Sequence, residues 1–366
     1  MFEIIIYILL ILSLIYGFYF LIMASGVFRK KKCEIDNNKK NHFAILIAAR
    51  NEETVIKNLI NSLKKQNYPS NKYDVYVIVN NCTDNTLEVA KNAGAKIIEC
   101  KQKVKSKGEV LKYTFNKLKS NDEIDAYVIF DADNVVHREF LNKMNDSINC
   151  GYEVVQGFRD TKNICDNWLS TSYAILYYLQ SLFINKSRFN FGMSYFLNGT
   201  GFMVKKETID RYGYDPKTIT EDIEYTAICA INGIKIAFNE NAITYDEQVT
   251  DFKSSLKQRK RWSFGAIQCL KNYTGSLIKE GIKNKRFECF DVIIFYFGII
   301  FHVLFTIVSL IGIFYNVFYL NDFNSMDVVI YFIMFLINYF IGVVFRMIVI
   351  KKCNKIYING KIQELS

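Results

Sequence analysis

Two acidic clusters carry most of the chemical information in this 366-residue chain. Asp131-Ala132-Asp133 puts two carboxylates on alternate residues. At the exit of a strand such a pair can share a hard divalent cation, which in turn bridges phosphate oxygens. Mg²⁺ or Mn²⁺ there would neutralise charge growing on a departing diphosphate. The tripeptide is short, and a solvated turn is the alternative reading. Glu221-Asp222 follows Thr218-Ile219-Thr220. Either threonine can cap a helix whose first turn holds these carboxylates, where the helix dipole favours them. The catalytic alternative is a general base that takes a proton from an acceptor hydroxyl. Asp222 is the candidate, with Glu221 beside it.

Three further segments bear on an anionic ligand. Gly199-Thr200-Gly201-Phe202 lets backbone approach a ligand closely, although it is too short for a dinucleotide fingerprint and also reads as a turn. Lys107-Gly108 offers a phosphate contact from within a Lys-rich stretch. Gln258-Arg259-Lys260-Arg261-Trp262 supplies two arginines and an indole. Arg261 can grip a diphosphate through paired hydrogen bonds, and Trp262 can offer an apolar face to a sugar ring. The alternative is a basic and aromatic belt at a membrane surface. His42, His137 and His302 read as structural.

The elements that position these groups alternate between strand and helix. Residues 42–48 read as a buried strand, followed by a helical face of Val55, Ile56, Leu59, Ile60 and Leu63. Strands are expected at 73–79, 95–98 and 126–130, with helices at 87–93 and 109–118 between them. Thr83 or Asp84 is the expected cap of the first of these helices. Such alternation implies a mostly parallel α/β sheet. Ligands of open sheets bind beyond the carboxyl ends of the strands. Glu52, Asn80 and Asp131 all fall just past such ends. Residues 167–183 place Trp168, Tyr173, Leu176, Leu179 and Phe183 on one helical face, suited to a membrane interface or to the core.

Composition adds a membrane. Ile4 to Met23, Val292 to Phe318 and Val328 to Ile350 are apolar runs of about the length that spans ~30 Å of hydrocarbon. The first reads as a retained anchor rather than a cleaved leader. Arg29-Lys30-Lys31-Lys32 follows it, and Lys351-Lys352 follows the third. The positive-inside rule then puts the N-terminus outside and the domain after residue 29 in the cytosol. The expected organisation is a spanning helix at 1–28 and a cytosolic domain at 29–290, with interfacial helices near 166–185 and 252–290. Two spanning helices at 291–350 and a cytosolic tail at 351–366 complete it. The net charge of +10 suits an anionic inner leaflet. Nucleic acid is an unsuited partner, because the lysines are scattered and no binding module is present. Nine cysteines without a Cys-x-x-Cys pair argue for reduced thiols rather than zinc or a disulfide framework.

The motif set resembles the membrane-bound, inverting family-2 glycosyltransferases, the group of cellulose, chitin, hyaluronan and poly-N-acetylglucosamine synthases. The resemblance rests on Ala48-Ala49-Arg50-Asn51-Glu52, Asn81-Cys82-Thr83-Asp84-Asn85-Thr86, Asp131-Ala132-Asp133-Asn134, Gly199 to Phe202, Thr220-Glu221-Asp222 and Gln-x-x-Arg-Trp at 258–262. It covers roughly residues 43–265. It implies a GT-A fold, a nucleoside-diphosphate sugar and a divalent metal. By position it places Glu52 and Asp84 around the nucleoside, and Asp131 and Asp133 at nucleotide and metal. Asp222 becomes the base, and Gly199, Thr200, Gly201 and Phe202 border the acceptor. Gln258, Arg261 and Trp262 stand at the diphosphate and the acceptor entrance. The family usually has an Asp after the second strand, contacting uracil; this chain has Asn80, whose amide oxygen can still accept from the ring N–H.

The resulting expectation is a metal-assisted enzyme that transfers a sugar from a UDP-sugar to a growing polysaccharide with inversion. A glycolipid synthase of the ceramide- or diacylglycerol-glucosyltransferase type is the alternative, and a non-catalytic nucleotide-sugar binder is the rival from another class. Three spans are few for a sealed polymer pore, so a homo-oligomer or an export partner belongs to the polymer reading.

Overall fold

The structure, a computed structural model, describes residues 2–29, 39–104 and 106–298. Its centre is an eight-stranded sheet ordered β3-β2-β1-β4-β7-β6-β8-β5. The strands are β1 (Phe43–Ala49), β2 (Tyr73–Val79), β3 (Lys96–Glu99), β4 (Ala126–Asp131), β5 (Val135–Val136), β6 (Val154–Thr161), β7 (Phe202–Lys205) and β8 (Ile236–Asp246). The helices are α1 (Phe2–Ala24), α2 (Ile56–Lys64), α3 (Thr86–Asn92), α4 (Lys107–Leu118) and α5 (Phe140–Asn149). After them come α6 (Trp168–Leu179), α7 (Ser187–Asn190), α8 (Lys206–Tyr212), α9 (Glu221–Asn232) and α10 (Phe252–Lys283).

β1 is apolar along its whole length because it sits between β2 and β4 and is covered on both faces. One face packs beneath α2, α3 and α5 through Ile45, Ile47, Leu59, Leu63 and Phe140. The other packs against α4 and α9 through Leu46, Phe115, Tyr127, Tyr225 and Cys229. The parallel register sets Ala48 opposite Asp131 and Ala49 opposite Val79. Glu52, Asn80 and Asp131 therefore leave the sheet along one edge, as expected from the sequence.

The strand expectations in the first half hold to within a residue, but the sheet is mixed rather than mostly parallel. β4 pairs antiparallel with β7, β7 with β6, and β5 with β8. These later strands lack a clear period in the sequence. β7 has four residues, and the β6–β8 pairing shifts register after Gly157. A bulge of that kind scrambles the alternation that marks a strand.

Other expectations change. Asn85, not Thr83 or Asp84, is the residue preceding α3, and it makes no side-chain cap. Asp84 reaches over it to accept from the Thr86 backbone at 3.1 Å. The face expected on residues 167–183 divides: Tyr173 is buried, whereas Trp168 and Leu176 are exposed. The chain also passes into a π-helical turn at Gln180–Lys186. Cys150 is disulfide-bonded, against the expectation of reduced thiols, while Cys82, Cys100, Cys165, Cys229, Cys269 and Cys289 are free.

The first expected span forms α1, a continuous helix of 23 residues. The side chains of much of its first half lie outside the described residues, and among the described residues no helix is long and apolar enough to cross a membrane. The expected span at 328–350 lies outside the described residues, and so does that at 292–318 after residue 298. The positions up to 298 belong to the domain. Residues 287–298 are helical, with Cys289, Asp291, Val292 and Tyr296 buried. Asp291 pairs with the buried Arg188 at 3.1 Å, and Tyr19 of α1 donates to the same carboxylate.

Candidate active site

The edge of β1 and β2 builds the first wall. Asn51 takes a positive φ of 60° as the chain leaves β1, and its side chain accepts from the Thr83 backbone at 2.8 Å. The Glu52 backbone donates to the Thr86 hydroxyl at 2.7 Å, and that of Glu53 donates to Asp84 at 3.2 Å. The two loops are thus stitched into one shelf. Burial, with Asp131 and Asp84 nearby, raises the Glu52 carboxyl above its ordinary value. Asn80 is buried, and its amide donates to the Cys100 carbonyl at 3.0 Å and the Gln102 carbonyl at 3.3 Å. A carboxylate could not face two carbonyls. Asparagine at this position is accordingly dictated by the loop after β3.

Asp131 closes β4, and its neighbours converge on it. Its backbone donates to the Thr200 hydroxyl at 3.0 Å. Lys107, the first residue of α4, bonds the Asp131 carboxylate and also the Gly199 carbonyl, the latter at 2.7 Å. Burial alone would lower this lysine, but Asp131 and the nearby Glu221 and Asp222 outweigh it and raise its pKa. The structure thus gives Lys107 a carboxylate and a carbonyl as partners, rather than the free ammonium a phosphate contact expects.

Asp133 is pushed up to about 7 by burial and by the charges of Asp246 and Asp131, against the pull of Lys162 and Arg159. Asp246 ends β8 and is almost fully buried. Arg159 bonds it through Nε at 2.6 Å and through a second nitrogen, and Asn134 donates to its other oxygen. Gln248 adds a bond at 3.1 Å. The sequence reading missed Asp246 and Arg159. The available signal was an acidic residue closing an apolar stretch, the same pattern that marked Asp131.

Glu221 and Asp222 form the first turn of α9. Thr220 precedes the helix without a side-chain cap, and Thr218 bonds the Thr220 carbonyl instead, at 3.2 Å. Both carboxylates keep a strip of accessible surface while sitting deep in the fold. Burial and the charge of Asp222 push Glu221 up to about 7. Burial raises Asp222 as well, against the stabilising N–H groups of the first turn. Gly199 has a φ of +77°, and a Cβ there would stand 3.1 Å from the Asp222 carboxylate. Gln156 fixes the same loop by donating to the Thr200 carbonyl at 2.8 Å while accepting from the Asn198 backbone. The loop before α9 is tied down by Glu224, which accepts from the Lys217 and Thr218 backbones.

The cationic pentad lies on α10. Trp262 meets Tyr173 and Tyr177 of α6 edge-on, with centroids 6.1 and 6.5 Å away. Arg259 lies over the Tyr173 ring at 5.2 Å and bonds its hydroxyl at 3.3 Å. Arg159 stacks on the other ring, Tyr177, at 4.0 Å. Gln258 buries an Oε1 that has no partner among the described residues. Arg261 is exposed and makes no ion pair among the described residues. The expected site residues therefore gather in two groups. Glu52, Asn80, Asp84, Lys107, Asp131, Asp133, Gly199, Thr200, Gly201, Glu221 and Asp222 surround one cleft edge, whereas Phe202, expected to border the acceptor, opens β7 and is buried in the core. Trp262 adjoins that edge through α6, Gln258 lies one turn earlier on α10, and Arg261 stands apart.

By chemistry alone, and not by spacing, the donors suit a hard cation. Asp131, Asp133 and Asp246 supply oxygen ligands only, and the repulsion that raises Asp133 is what a divalent ion relieves. As they stand, Lys107 and Arg159 neutralise two of the three, and no group of three acidic, His or Cys side chains among the described residues is gathered tightly enough to hold a metal.

Comparison with known proteins agrees with this geometry. The model of the family described as "Glycosyltransferase like family 2" matches residues 40–265. A probable glycosyltransferase of Bacillus subtilis, YdaM, is 24% identical over 283 residues, covering 70% of this chain and 64% of its own length. A β-monoglucosyldiacylglycerol synthase of Synechocystis is 24% identical over 233 residues, covering 63% of this chain and 48% of its own. The chain thus spans from just under half to just under two thirds of the length of these relatives. Among solved structures, the mannosyltransferase PcManGT of Pyrobaculum calidifontis, in complex with GDP-Man and Mn²⁺, superposes with a TM-score of 0.57 at 14% identity, over 74% of this chain and 76% of that one. It shares the mixed, GT-A-like sheet. With residues 40–265 matched by the family model and the acidic residues gathered at one edge of the sheet, the chain belongs to the glycosyltransferase family 2-like proteins.

Proposed function

We propose that this protein is a membrane-associated, metal-dependent inverting glycosyltransferase with a UDP-sugar as donor. One observation carries the proposal: Asp222 sits at the N-terminus of α9 against Gly199, in the field of the same Lys107 that holds Asp131. A base and a phosphate-side carboxylate then flank one space. The acceptor hydroxyl loses its proton to Asp222 and attacks the anomeric carbon from the side opposite the diphosphate, giving a β-linkage. Glu52, Asp84 and Asn80 bound the nucleoside. Asp131, Asp133 and Asp246 are the residues that would hold Mg²⁺ or Mn²⁺, and such an ion would supply positive charge for a departing diphosphate.

The acceptor is the finer point. The Gln-x-x-Arg-Trp sequence favours a growing polysaccharide. The surroundings of Trp262 favour a lipid: the indole is engaged by two tyrosines, and Trp168, Leu176, Phe252 and Leu256 on the same two helices are exposed. The Synechocystis relative is likewise named for a glucolipid product. We favour a lipid-borne acceptor, with three spans, an outside N-terminus and a cytosolic catalytic domain. Purified protein incubated with UDP- and GDP-sugars, Mg²⁺ or Mn²⁺, and either diacylglycerol or oligosaccharide tests this. Release of UDP with an organic-extractable product is expected. A water-soluble polymer would restore the polysaccharide reading, and no nucleotide release from any donor would return the chain to a binder.

A further inference from the structure

Arg159 on β6 engages all three guanidinium nitrogens and the flat of the group. Thr161 stands opposite Asp246 in the β6–β8 ladder, and Arg159, two residues earlier, shares its face of the sheet. Nε and Nη2 both donate to one oxygen of Asp246. Nη1 donates at 3.3 Å to the carbonyl of Asn198, the residue before Gly199. The flat of the group covers the Tyr177 ring, 4.0 Å from its centroid. Both charges lie deep in the fold, with 11% of the arginine side chain and 3% of the aspartate side chain exposed. Gln248 donates to the same Asp246 oxygen at 3.1 Å, and Asn134 holds the other. Neither charge can leave without stranding its partner, so the guanidinium has a fixed place.

What that place fixes lies on the other side of the cleft. Tyr177 stacks with Tyr173 along α6, at 6.4 Å between centroids, and Trp262 of α10 stands edge-on to both rings. An ion pair with Asp246 alone would be served by lysine. The stacked face and the third nitrogen are what only a guanidinium offers. We propose that Arg159 is the positioning residue of the acceptor entrance: anchored on Asp246, it sets the Trp262 indole through the Tyr177 ring. One side chain then joins the carboxylates of the donor side to the indole of the entrance. This deepens the enzymatic reading above and rests on it for the entrance being the acceptor's. The packing assigned to Trp262 stands without it.

The chain has two tryptophans, and Trp168 is exposed, so the full-length protein in detergent with Trp168→Phe reports Trp262 alone. Arg159→Lys keeps a charge beside Asp246 and removes the stacked face. It is expected to shift Trp262 emission to the red and to strengthen its quenching by acrylamide. Tyr177→Leu is expected to reproduce that change, and Tyr177→Phe, which keeps the ring, to leave emission and quenching as in the parent. In the Tyr177→Leu background Arg159→Lys is expected to add nothing, because its effect runs through that ring. UDP binding in the presence of Mn²⁺, followed by calorimetry, is expected to be unchanged by Arg159→Lys. With UDP-glucose and diacylglycerol, the KM for diacylglycerol is expected to rise roughly five- to thirtyfold, the range for losing one cation–π contact, with the donor KM unmoved. Trp262 emission and quenching indifferent to Arg159→Lys would overturn the proposal, as would full additivity of the Arg159 and Tyr177 substitutions. Loss of UDP affinity in step with the acceptor KM would do the same, since it marks an ion pair that merely holds the sheet. If Arg159→Lys does not fold, Asp246→Asn, which weakens the anchor at constant shape, decides by the same Trp262 readout. A parent that released no nucleotide from any donor would end the enzymatic reading, and the fluorescence would still judge Arg159.

Discussion

Asp222 and Glu221 show how one pair of neighbours can hold two duties. Both are first-turn carboxylates of α9 by position, and both are driven upward by burial. A general base works in its ionised form, so the acid limb of transfer is expected to lie at higher pH than an ordinary aspartate would give. Glu221→Gln removes one of two mutually repelling charges. It is expected to move the acid limb of the kcat/KM profile to lower pH, and an unmoved limb would separate Glu221 from the base. Asp222→Asn is expected to cut turnover by about 10²–10⁴ while donor binding, followed by calorimetry, persists. Wild-type turnover in that variant would remove Asp222 from the mechanism.

At the scale of elements, the base is only as well placed as α9, and α9 is placed by α10. Gly265 is the contact point: a Cβ there would stand 2.1 Å from the Thr220 hydroxyl, which precedes Glu221. Gly265→Ala must therefore part the two helices or displace the Thr220 side chain. A loss of about 1–3 kcal/mol is expected from such overpacking, measured by chemical denaturation. Turnover is expected to fall further than donor affinity, because the shift reaches the base before it reaches the nucleotide shelf on β1 and β2. Equal losses in both would show that the strain spreads through the sheet.

The whole molecule is held together across the sequence by charge as well as by core. Arg188 and Asp291 are both buried, and the guanidinium also lies over the Phe196 ring at 4.8 Å, next to the loop that carries Gly199. Removing one partner leaves the other charge buried and unpaired. Arg188→Ala is expected to cost about 3–5 kcal/mol, and pairing Arg188→Met with Asp291→Leu to recover part of it. A second global effect follows from Asp133 and Glu221. Both acids bind protons more tightly in the folded state than in the unfolded one, where their ordinary values are 3.8 and 4.5. Their contribution to stability is complete below that range and disappears as pH rises through about 7. Metal-free protein is therefore expected to lose Tm from these groups between acid and neutral pH. Mn²⁺ is expected to restore Tm chiefly at and above neutrality, where Asp133 is ionised and able to bind it. A Tm insensitive to Mn²⁺ at every pH would refute the assignment of these carboxylates to a cation.

Half of the fold is legible in the chain alone, where local pattern and tertiary demand coincide. β1, β2 and β4 are buried on both faces, so their apolar runs are continuous and end abruptly at Asn51-Glu52, Asn80 and Asp131. A strand end in an open sheet is already a location, and that is why so much of the carboxylate cluster was legible before any coordinates. The later strands were not legible, because β7 is short and the bulged β6–β8 pair breaks the alternation. Asp246 and Arg159 were hidden for the same reason: their roles come from a pairing that joins Thr161 to Asp246, 85 positions apart. The division of labour in the Gln258–Trp262 segment was likewise a tertiary matter. Sequence marks these residues as unusual by type alone. Only the crossing of α10 with α6 decides that Arg259 and Trp262 pack on tyrosines while Arg261 stays in solvent, because on a helix one residue's step turns the side chain by about 100° and thereby chooses its neighbour.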